Sequence, residues 1–435
     1  MCYTMLVHRA ESGETVNTQS TMDDLKASAN EGKPKGAKGQ GFEVNIKGLQ
    51  EIIGGGDEWR HPIEIVANVF DEYNGYVEGK KRPTFCEVTF TKEGNSPAVL
   101  TVTDDGAGFD EVSDIWTFFR TTEKRSNAKV SGRFNAGEKQ LVALAKKATI
   151  VTGSNTVEFV DGKRKHTRHR KEQRQGTQIT ATLAWKFDLV KKAIEQLESV
   201  IAPEGLIYTV NGKLIANGRH KVDVVNVSLP TVVLSDVDGT VALRHTTRKS
   251  DVSVIATADD EPAWLYELGV PVCEMAHDFP YSLNVSQKVP VPMSRDMVSK
   301  KYIERLIGLV IEAAPHILNE SDADAEFIKP ALEYVQDDEA VAEVAKRVFP
   351  TSLRWSSNSQ ANAYAALGEY DILSRGKFGK KFSDKLDRND TLPTTFHKFE
   401  DKVKPQEDDD AQKPISMVTC PECNHSFEVV KTPFG

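Results

Sequence analysis

The chain of 435 residues has little cysteine and no long apolar run. Its five cysteines are an odd number spread along the whole length, so no disulfide framework is indicated and a reducing compartment, the cytoplasm, is expected. No stretch approaches the roughly 18 apolar residues that a membrane-spanning helix needs, and the apolar run after Met1 is too short for a signal peptide. Neither a membrane protein nor a disulfide-rich secreted protein is therefore expected.

The chain also lacks an excess of positive charge. Its net charge is −9 and its pI is about 5.7, which argues against a generic nucleic-acid coat but leaves room for a local basic patch. Hydrophobic residues make up 39% and charged residues 27%, as in soluble globular proteins. The length fits two or three domains, and no internal repeat is present.

Composition and periodicity divide the chain into six segments. In order they are a polar arm with a Gly/Lys linker, a mixed α/β unit, a second mixed α/β unit, a helical and irregular segment, a charged linker and a Cys/His tail: 1–45, 46–187, 188–320, 321–395, 396–415 and 416–435. The predicted fold class is α/β.

The stretch IEIVANVFDEY, residues 63–73, predicts a helix with a narrow polar face. At 100° per residue, Glu64, Asn68 and Asp71 lie within about 60° of one another, and apolar side chains cover most of the remainder. A mostly buried helix must satisfy such a polar stripe with partners, because unpaired buried charge is costly. The partners are either a structural hydrogen-bond network or a ligand with a metal ion.

A second motif, TVTDDGAGF, places Asp104 at the end of a predicted strand, before Gly106 and Gly108. Glycines let the backbone turn sharply and approach a ligand closely. An aspartate at a strand end can accept a hydrogen bond from an exocyclic amine such as that of adenine. Taken alone, the motif is also consistent with an ordinary turn.

Two further motifs follow along the chain. The stretch GRFNAGEKQLVALA places Gly132 and Gly137 before a predicted helix, and a glycine loop that leads into a helix N-terminus is a natural phosphate cradle. A late strand, GTQITATL, begins with Gly176 and Thr177. Each of these is also compatible with a glycine-rich loop of no special purpose.

Together, and in this order, the four motifs resemble the nucleotide-binding signature of the GHKL superfamily, which contains gyrase, Hsp-type chaperones, histidine kinases and MutL. The resemblance covers residues 64–177. It implies a two-layer α/β sandwich of the Bergerat type that binds ATP and Mg²⁺. It also implies a second α/β, transducer-like domain after the ATP-binding one, here followed by the small Cys/His tail.

The resemblance implies a role for each matching residue. Glu64 would be the general base that activates water, Asn68 would hold Mg²⁺ through its amide oxygen, and Asp104 would select adenine. The other matching residues would support the nucleotide or form the lid over the triphosphate: Asp71, Gly106, Gly108, Gly132, Phe134, Gly137 and Thr177.

The sequence of the second domain helps to indicate which branch of the superfamily the chain resembles. The loop NVSQKVPVPMSRDM carries Gln287 and Lys288, and it looks like a transducer loop that delivers a catalytic lysine to the γ-phosphate; the alternative is a surface-loop lysine. Lys124 and Lys139 of the first domain are competing candidates. A histidine kinase is disfavoured because no long helix with a phospho-accepting histidine precedes Glu64. The size and tail are similar to those of phage or mobile-element members.

Two segments point to partners. The stretch GKRKHTRHRKEQRQG predicts a basic hairpin at 163–174, which would contact the phosphates of DNA or RNA unless it is a solvated tip; no aromatic residue is interleaved in it. In the tail, Cys420, Cys423 and His425 have zinc-knuckle spacing, but a closed zinc site needs a fourth ligand.

The predicted function is an ATP-hydrolysing, Mg²⁺-dependent conformational switch that closes, forms a homodimer on binding ATP, and acts on DNA. The alternative is a chaperone-like or scaffold ATPase with protein clients. A membrane partner is not expected.

Overall fold

The computed structural model describes most of the chain from residue 57 onward, within the unit Ile53–Gly435. The described residues are 57–75, 77–118, 127, 130–132, 137–171, 173–216, 220–237, 240–258, 261–275, 278–291, 298–373, 378–389, 391–403, 416–419 and 426–429.

Within the unit Ile53–Gly435 the chain forms two large sheets, and the parts built on them are called here the first and the second domain. An eight-stranded sheet forms the first. Its strands are β1 Phe85–Thr91, β2 Ala98–Asp104, β3 Lys147–Gly153, β4 Asn155–Val160, β5 Lys163–Arg168, β6 Arg174–Leu183, β7 Ile207–Val210 and β8 Lys213–Leu214. They lie in the order β5-β4-β3-β6-β2-β1-β7-β8, and neighbours are antiparallel except for the parallel pair β1 and β7. The hairpin predicted from TFCEVTF and AVLTVTD is confirmed as β1 and β2.

Three helices pack on one face of this sheet: α1 His61–Asn74, α2 Gly137–Leu144 and α3 Phe187–Ser199. Buried strand residues such as Leu100 and Val102 share a core with Val66 and Phe70 of α1. Along each strand these buried residues alternate with half-buried residues, many of them threonines, which lie on the opposite face of the sheet. The domain is therefore a two-layer α/β sandwich, and the predicted α/β class is confirmed.

The first sheet continues beyond the boundary expected at 187/188. Strand β7 pairs in parallel with β1, through Phe85 opposite Ile207 and Cys86 opposite Tyr208, and β8 adds the edge. Parallel neighbours need a crossover connection, and helix α3 is part of it. The amphipathic pattern of α3 was visible in the sequence, but the sheet on which the helix packs was not.

A five-stranded sheet forms the second domain. Its strands are β9 Lys221–Val237, β10 Thr240–Ala256, β11 Trp264–Glu267, β12 Val270–Glu274 and β13 Tyr281–Val285, in the order β12-β11-β13-β10-β9. Helix α4, Lys300–Ala313, buries Leu306 and Val310 in one core with Val252 and Leu283 of the sheet.

The remaining elements are short. The helices are α5 Ile328–Leu332, α6 Asp338–Val348, α7 Ser359–Leu367, α8 Lys380–Asn389, α9 Thr395–Lys398 and α10 Glu400–Val403. Two strand pairs, β14 Leu353–Arg354 with β15 Ile372–Leu373 and β16 Ser416–Thr419 with β17 Ser426–Val429, complete the described chain. Phe349, Phe378 and Phe382 belong to the same core as α4, so much of this part packs onto the second domain.

Across the described ranges, no helix is both long enough and apolar enough to cross a membrane.

Candidate nucleotide-binding site

The polar stripe of α1 forms as the sequence predicted. Seven apolar or ring-bearing residues of the helix are buried, whereas Glu64 and Asn68 are half-buried on the remaining face. Asp71 lies on the same face but is only 2% exposed. Each of these three side chains meets the segment that leads into α2 or the start of α2 itself.

Asp71 holds the segment before α2 in place. Its carboxylate accepts hydrogen bonds from the backbone N–H groups of Ser131, at 2.5 Å, and Gly132, at 2.7 Å. A buried carboxylate is stable when backbone donors satisfy its oxygens. The structure thus places Asp71 as an anchor for residues 131–132, in keeping with an indirect relation to a ligand.

Glu64 lies against the N-terminus of α2. A Cβ atom added to Gly137 would stand 2.6 Å from Glu64 Oε2, so only glycine permits this approach. Because the two residues are in contact, a ligand could lie between them only if α2 shifted. The N-terminal end of a helix attracts negative charge, and Glu64 already lies there.

Asn68 meets the first turn of α2. Its Nδ2 donates to Oε2 of Glu138 at 3.2 Å, and the other oxygen of Glu138 accepts from Nζ of Lys139. Glu138 and Lys139 are 4% and 2% exposed, so they form a buried ion pair in contact with the stripe. The sequence offered no role for Glu138, although its place beside Gly137 is a local signal.

A second link joins α1 to α2 through His61. Burial lowers the pKa of His61 to about 4, and a side-chain hydrogen bond with Gln140 offsets part of that effect. The imidazole is therefore neutral at neutral pH and adds no positive charge to the site.

Asp104 ends β2 in a buried position, 7% exposed. Its Oδ1 accepts from the N–H groups of Gly106, at 2.9 Å, and Thr177, at 3.3 Å. Its Oδ2 has no hydrogen bond from the residues that the structure describes. Burial raises the pKa of Asp104, and the two N–H donors offset part of that rise. One carboxylate oxygen is thus fixed and the other remains open to a donor.

Gly176 and Thr177, near the start of β6, pack against Asp104. Gly176 has φ +73°, and a Cβ there would lie 2.1 Å from the carbonyl oxygen of Asp104, so this position requires glycine. Thr177 Oγ1 donates to Thr152 Oγ1 at 3.4 Å. In the Gly176–Thr177 pair, glycine therefore allows the close approach to Asp104, and the Thr177 N–H donates to the Asp104 carboxylate.

Two residues that the sequence analysis missed hold the loop after Asp104. Glu72 accepts from the N–H of Ala107 at 2.5 Å and lies beside Gly106. Thr152 accepts from the N–H of Phe109 at 3.2 Å and lies beside Gly108. Glu72 could have been found, since it is next to the stripe on α1, but nothing local marks Thr152.

Asp105, the next residue, has the opposite electrostatic character. Partial burial raises its pKa, but hydrogen bonds from Lys81, the Thr84 hydroxyl and the N–H groups of Thr84 and Phe85 outweigh burial and lower the pKa to about 2. Both carboxylate oxygens of Asp105 accept hydrogen bonds from groups of the chain itself. Asp104 alone of this pair keeps an acceptor for a ligand.

Lys288 lies in the second domain and is only 1% exposed, so the alternative of a surface-loop lysine is wrong. Its carbonyl oxygen accepts from Thr231 Oγ1 at 2.7 Å. Beside it, Gln287 Nε2 donates to the Leu229 carbonyl and the Val289 N–H donates to Glu267. The segment around Lys288 is thus pinned to the second sheet.

The basic segment predicted as a hairpin at 163–174 is not itself a hairpin: Lys163–Arg168 forms β5, which pairs with β4 at the edge of the first sheet, and Arg174 begins β6. The Lys and Arg side chains of β5 are exposed, whereas Arg174 is half-buried. The guanidinium of Arg164 lies 3.9 Å from the ring centroid of Trp116, and the His166 ring lies 5.9 Å from the same indole. The segment has no Phe, Tyr or Trp of its own, but Trp116 from elsewhere in the chain packs against it.

Some predicted site residues lie outside the described chain: Phe134, Cys420, Cys423 and His425. Strands β16 and β17 pair antiparallel, with Thr419 opposite Ser426. Among the described residues, no group of three His, Cys, Asp or Glu side chains could hold a metal ion.

A cavity of about 840 Å³ lies at the other end of α1, beside Asn74. It is lined by residues 201–204 and by polar residues of β9, β10 and β13. Its lining does not include the stripe or Asp104.

Comparisons with known proteins give structural neighbours only. No protein-family model matches the chain, and no curated protein matches it. Among solved structures 110 chains match. Two of them are the ATPase region of Saccharomyces cerevisiae topoisomerase II, one bound to ICRF-187 (dexrazoxane), at 11% and 12% identity and a TM-score of 0.33. Each match covers 49% of this chain and 62% of that chain. A likeness at this TM-score carries no functional argument.

Proposed function

We propose that this protein is an ATP-binding and ATP-hydrolysing conformational switch of the GHKL type. The observation that carries the proposal is Asp104, a buried strand-end carboxylate with one oxygen fixed by backbone N–H groups and the other open. An acceptor held in this way suits the exocyclic amine of adenine. The polar stripe and the N-terminus of α2 then lie where phosphates and a cation would be needed.

The residues present fit ATP and Mg²⁺ by their chemistry. Asn68 offers an amide oxygen, a ligand type that Mg²⁺ accepts, and the bound ion would neutralise charge on the phosphates. The N-terminus of α2 offers backbone N–H groups to an anion. Gly132, Phe134 and Gly137 would then enclose the triphosphate.

In this proposal Glu64 is the general base. It takes a proton from the water that attacks the γ-phosphate, and its half-buried position beside the N-terminus of α2 holds it at the phosphate end of the site. Asp71 acts through the backbone of residues 131–132, which it keeps beside the stripe. Thr177 acts through Asp104, whose orientation it sets.

The contact between Gly137 and Glu64 supports a switch rather than a rigid site. Since α2 must shift to admit a triphosphate, binding energy is coupled to a change of conformation. We infer that the ATP-bound form closes and pairs two copies of the chain. Lys288, delivered by the second domain, would complete the site only in that closed form.

DNA is the partner that the basic edge strand favours. Exposed Lys and Arg side chains along β5 suit a phosphate backbone. A protein client is the second candidate, favoured by exposed apolar side chains of the C-terminal part, where Leu367 is 83% and Trp355 is 60% exposed. The Cys/His tail, with a zinc ion, would add a further contact surface.

One experiment separates these possibilities. ATP turnover is measured with and without double-stranded DNA at several salt concentrations, alongside the mass of the protein with a non-hydrolysable ATP analogue. DNA-stimulated, salt-sensitive turnover with an analogue-induced doubling of mass is expected. Turnover that ignores DNA would favour the protein client, and absence of nucleotide binding would reject the ATPase itself.

A further inference from the structure

Glu138 is a buried carboxylate in the middle of the candidate phosphate site that the proposed ATPase mechanism does not use. It stands in the first turn of α2 and is 4% exposed. One oxygen accepts from the amide of Asn68 and the other from the ammonium of Lys139. Burying a charged carboxylate costs free energy, so its presence beside Asn68 calls for a reason.

The negative charges at and beside Glu138 would repel a triphosphate that binds without a divalent cation. Glu64 and Glu138 both lie at the N-terminus of α2, where the phosphates would have to bind. Two carboxylates and a triphosphate repel one another strongly in a poorly hydrated pocket. Lys139 compensates Glu138 in the structure, but it cannot neutralise Glu138 and the phosphates together. A divalent cation between carboxylate and phosphate removes the conflict.

We propose that Glu138 is a second protein ligand of the divalent cation, beside Asn68. This assignment rests on the proposed ATP site and adds to it the means of binding the metal. The Asn68 amide turns over so that its oxygen, rather than its NH₂ group, faces the carboxylate of Glu138. Hard cations such as Mg²⁺ and Mn²⁺ bind carboxylate and amide oxygens together. Lys139, released from Glu138, then faces the phosphates.

The competing explanation is that Glu138 serves only as the counter-ion that keeps Lys139 in place. The two explanations differ in what the cation does. If Glu138 binds metal, removing its charge weakens the binding of the cation and leaves metal-free nucleotide binding unchanged or stronger, since one repulsive charge is gone. If Glu138 only positions Lys139, its loss weakens nucleotide binding with and without metal alike.

The test uses calorimetric binding of a non-hydrolysable ATP analogue to the full chain, in EDTA and across a titration of Mg²⁺, with Mn²⁺ binding followed by electron paramagnetic resonance. Glu138→Gln should raise the cation concentration for half-maximal analogue binding by at least roughly 10-fold, the lower end of what loss of even an outer metal partner costs. Glu138→Asp should give an intermediate value. Glu158→Gln, on β4 and on the opposite face of the sheet, is the matched control and should leave it unchanged.

Folding is controlled with the double variant Glu138→Gln/Lys139→Met, which removes both charges of the buried Glu138–Lys139 ion pair. It should melt cooperatively and lose Mn²⁺ affinity, followed by electron paramagnetic resonance, to the same extent as Glu138→Gln. An unchanged cation requirement in both variants, with weaker binding in EDTA, would overturn the assignment while leaving the ATP site intact. If the unaltered protein binds no nucleotide in either condition, the proposed function and this assignment fail together.

Discussion

The two domains each bury a group of polar side chains, and the groups differ in one respect. In the second domain the buried side chains of Glu267 and Gln287 bond to backbone groups, Glu267 by accepting from the Val289 N–H and Gln287 by donating to the Leu229 carbonyl. The backbone carbonyl of Lys288, between Gln287 and Val289, accepts from Thr231 Oγ1. In the first domain Asp104 uses one oxygen in this way and leaves the other open. Burial of polar groups alone therefore does not mark a site; an unused acceptor beside a glycine loop does.

The adjacent residues Asp104 and Asp105 also differ in how fully the chain satisfies their carboxylate oxygens. Asp105 has four donors from Lys81, Thr84 and Phe85, and its lowered pKa reflects them. Asp104 has two backbone N–H donors, both on one oxygen, and a raised pKa. A carboxylate that the chain satisfies fully belongs to the fold, whereas one that it satisfies in part is available to a ligand.

The largest expected effect comes from the stripe on α1. Glu64→Gln should reduce ATP turnover by roughly 10²–10⁴-fold, the usual contribution of a general base, while nucleotide binding persists. The measurement is phosphate release at saturating ATP together with analogue affinity. Glu195→Gln, the same change at an exposed position of α3, serves as the control. Turnover equal to that of the unaltered protein would remove Glu64 from the mechanism.

The next effect tests the open acceptor. Asp104→Asn should weaken ATP binding by roughly 10- to 100-fold, since a hydrogen bond to a charged group contributes about 1.5–3 kcal/mol. Asp105→Asn should instead reduce stability and leave ATP affinity little changed. Calorimetric titration and thermal melting of both variants measure the contrast, and equal affinity losses would contradict it.

The same pair predicts opposite dependences on pH. The folded pKa of Asp104 lies above its ordinary value of 3.8, so its ionised form costs stability as the pH rises through that pKa. Asp104→Asn should therefore raise the melting temperature near neutral pH, and the gain should vanish at low pH. The folded pKa of Asp105 is about 2, so its contribution is present above 3.8 and is lost as the pH falls towards 2. Melting curves between about pH 2 and 7 that show the same trend for both variants would refute this difference.

The next prediction tests whether Lys288 of the second domain takes part in ATP hydrolysis. If Lys288 reaches the γ-phosphate in the closed form, Lys288→Met should cut turnover by roughly 10²-fold, as removal of one charge-stabilising donor does, with ATP affinity within a few-fold. Met keeps an apolar stem in the core. Lys301→Met, exposed on α4, is the control. Normal turnover, and normal compaction in small-angle scattering with an ATP analogue, would make Lys288 purely structural.

The smallest effect concerns the basic strand. Neutralising its charges should weaken DNA binding and lower the slope of log affinity against log salt by about 0.9 for each phosphate that the strand no longer neutralises. The residues to be changed to Gln are Lys163, Arg164, Lys165, Arg168, Arg170 and Lys171. The control changes Lys186, Lys191 and Lys192, which are exposed beside or on α3. An unaltered salt slope would mean that the strand does not bind DNA.

Much of the first domain could be predicted from the sequence. The stripe of Glu64, Asn68 and Asp71, the strand that ends at Asp104 and the β1–β2 hairpin all follow from periodicity and local turn chemistry. These patterns depend on residues close together in the chain, so a local analysis suffices. The extent of the first sheet could not be read in this way, because the parallel pairing of β7 with β1 joins distant segments.

By itself the sequence determined which residue types stand on one helix face, which carboxylate ends a strand and where glycine allows a sharp turn. Only the tertiary structure decided that Glu138 meets Asn68, that Trp116 lies against Arg164 and that Lys288 is buried. The physical reason is that periodicity reports how a side chain points from its own helix or strand. Which side chain it then meets depends on how whole elements pack, and that packing minimises the free energy of the entire core rather than of any segment.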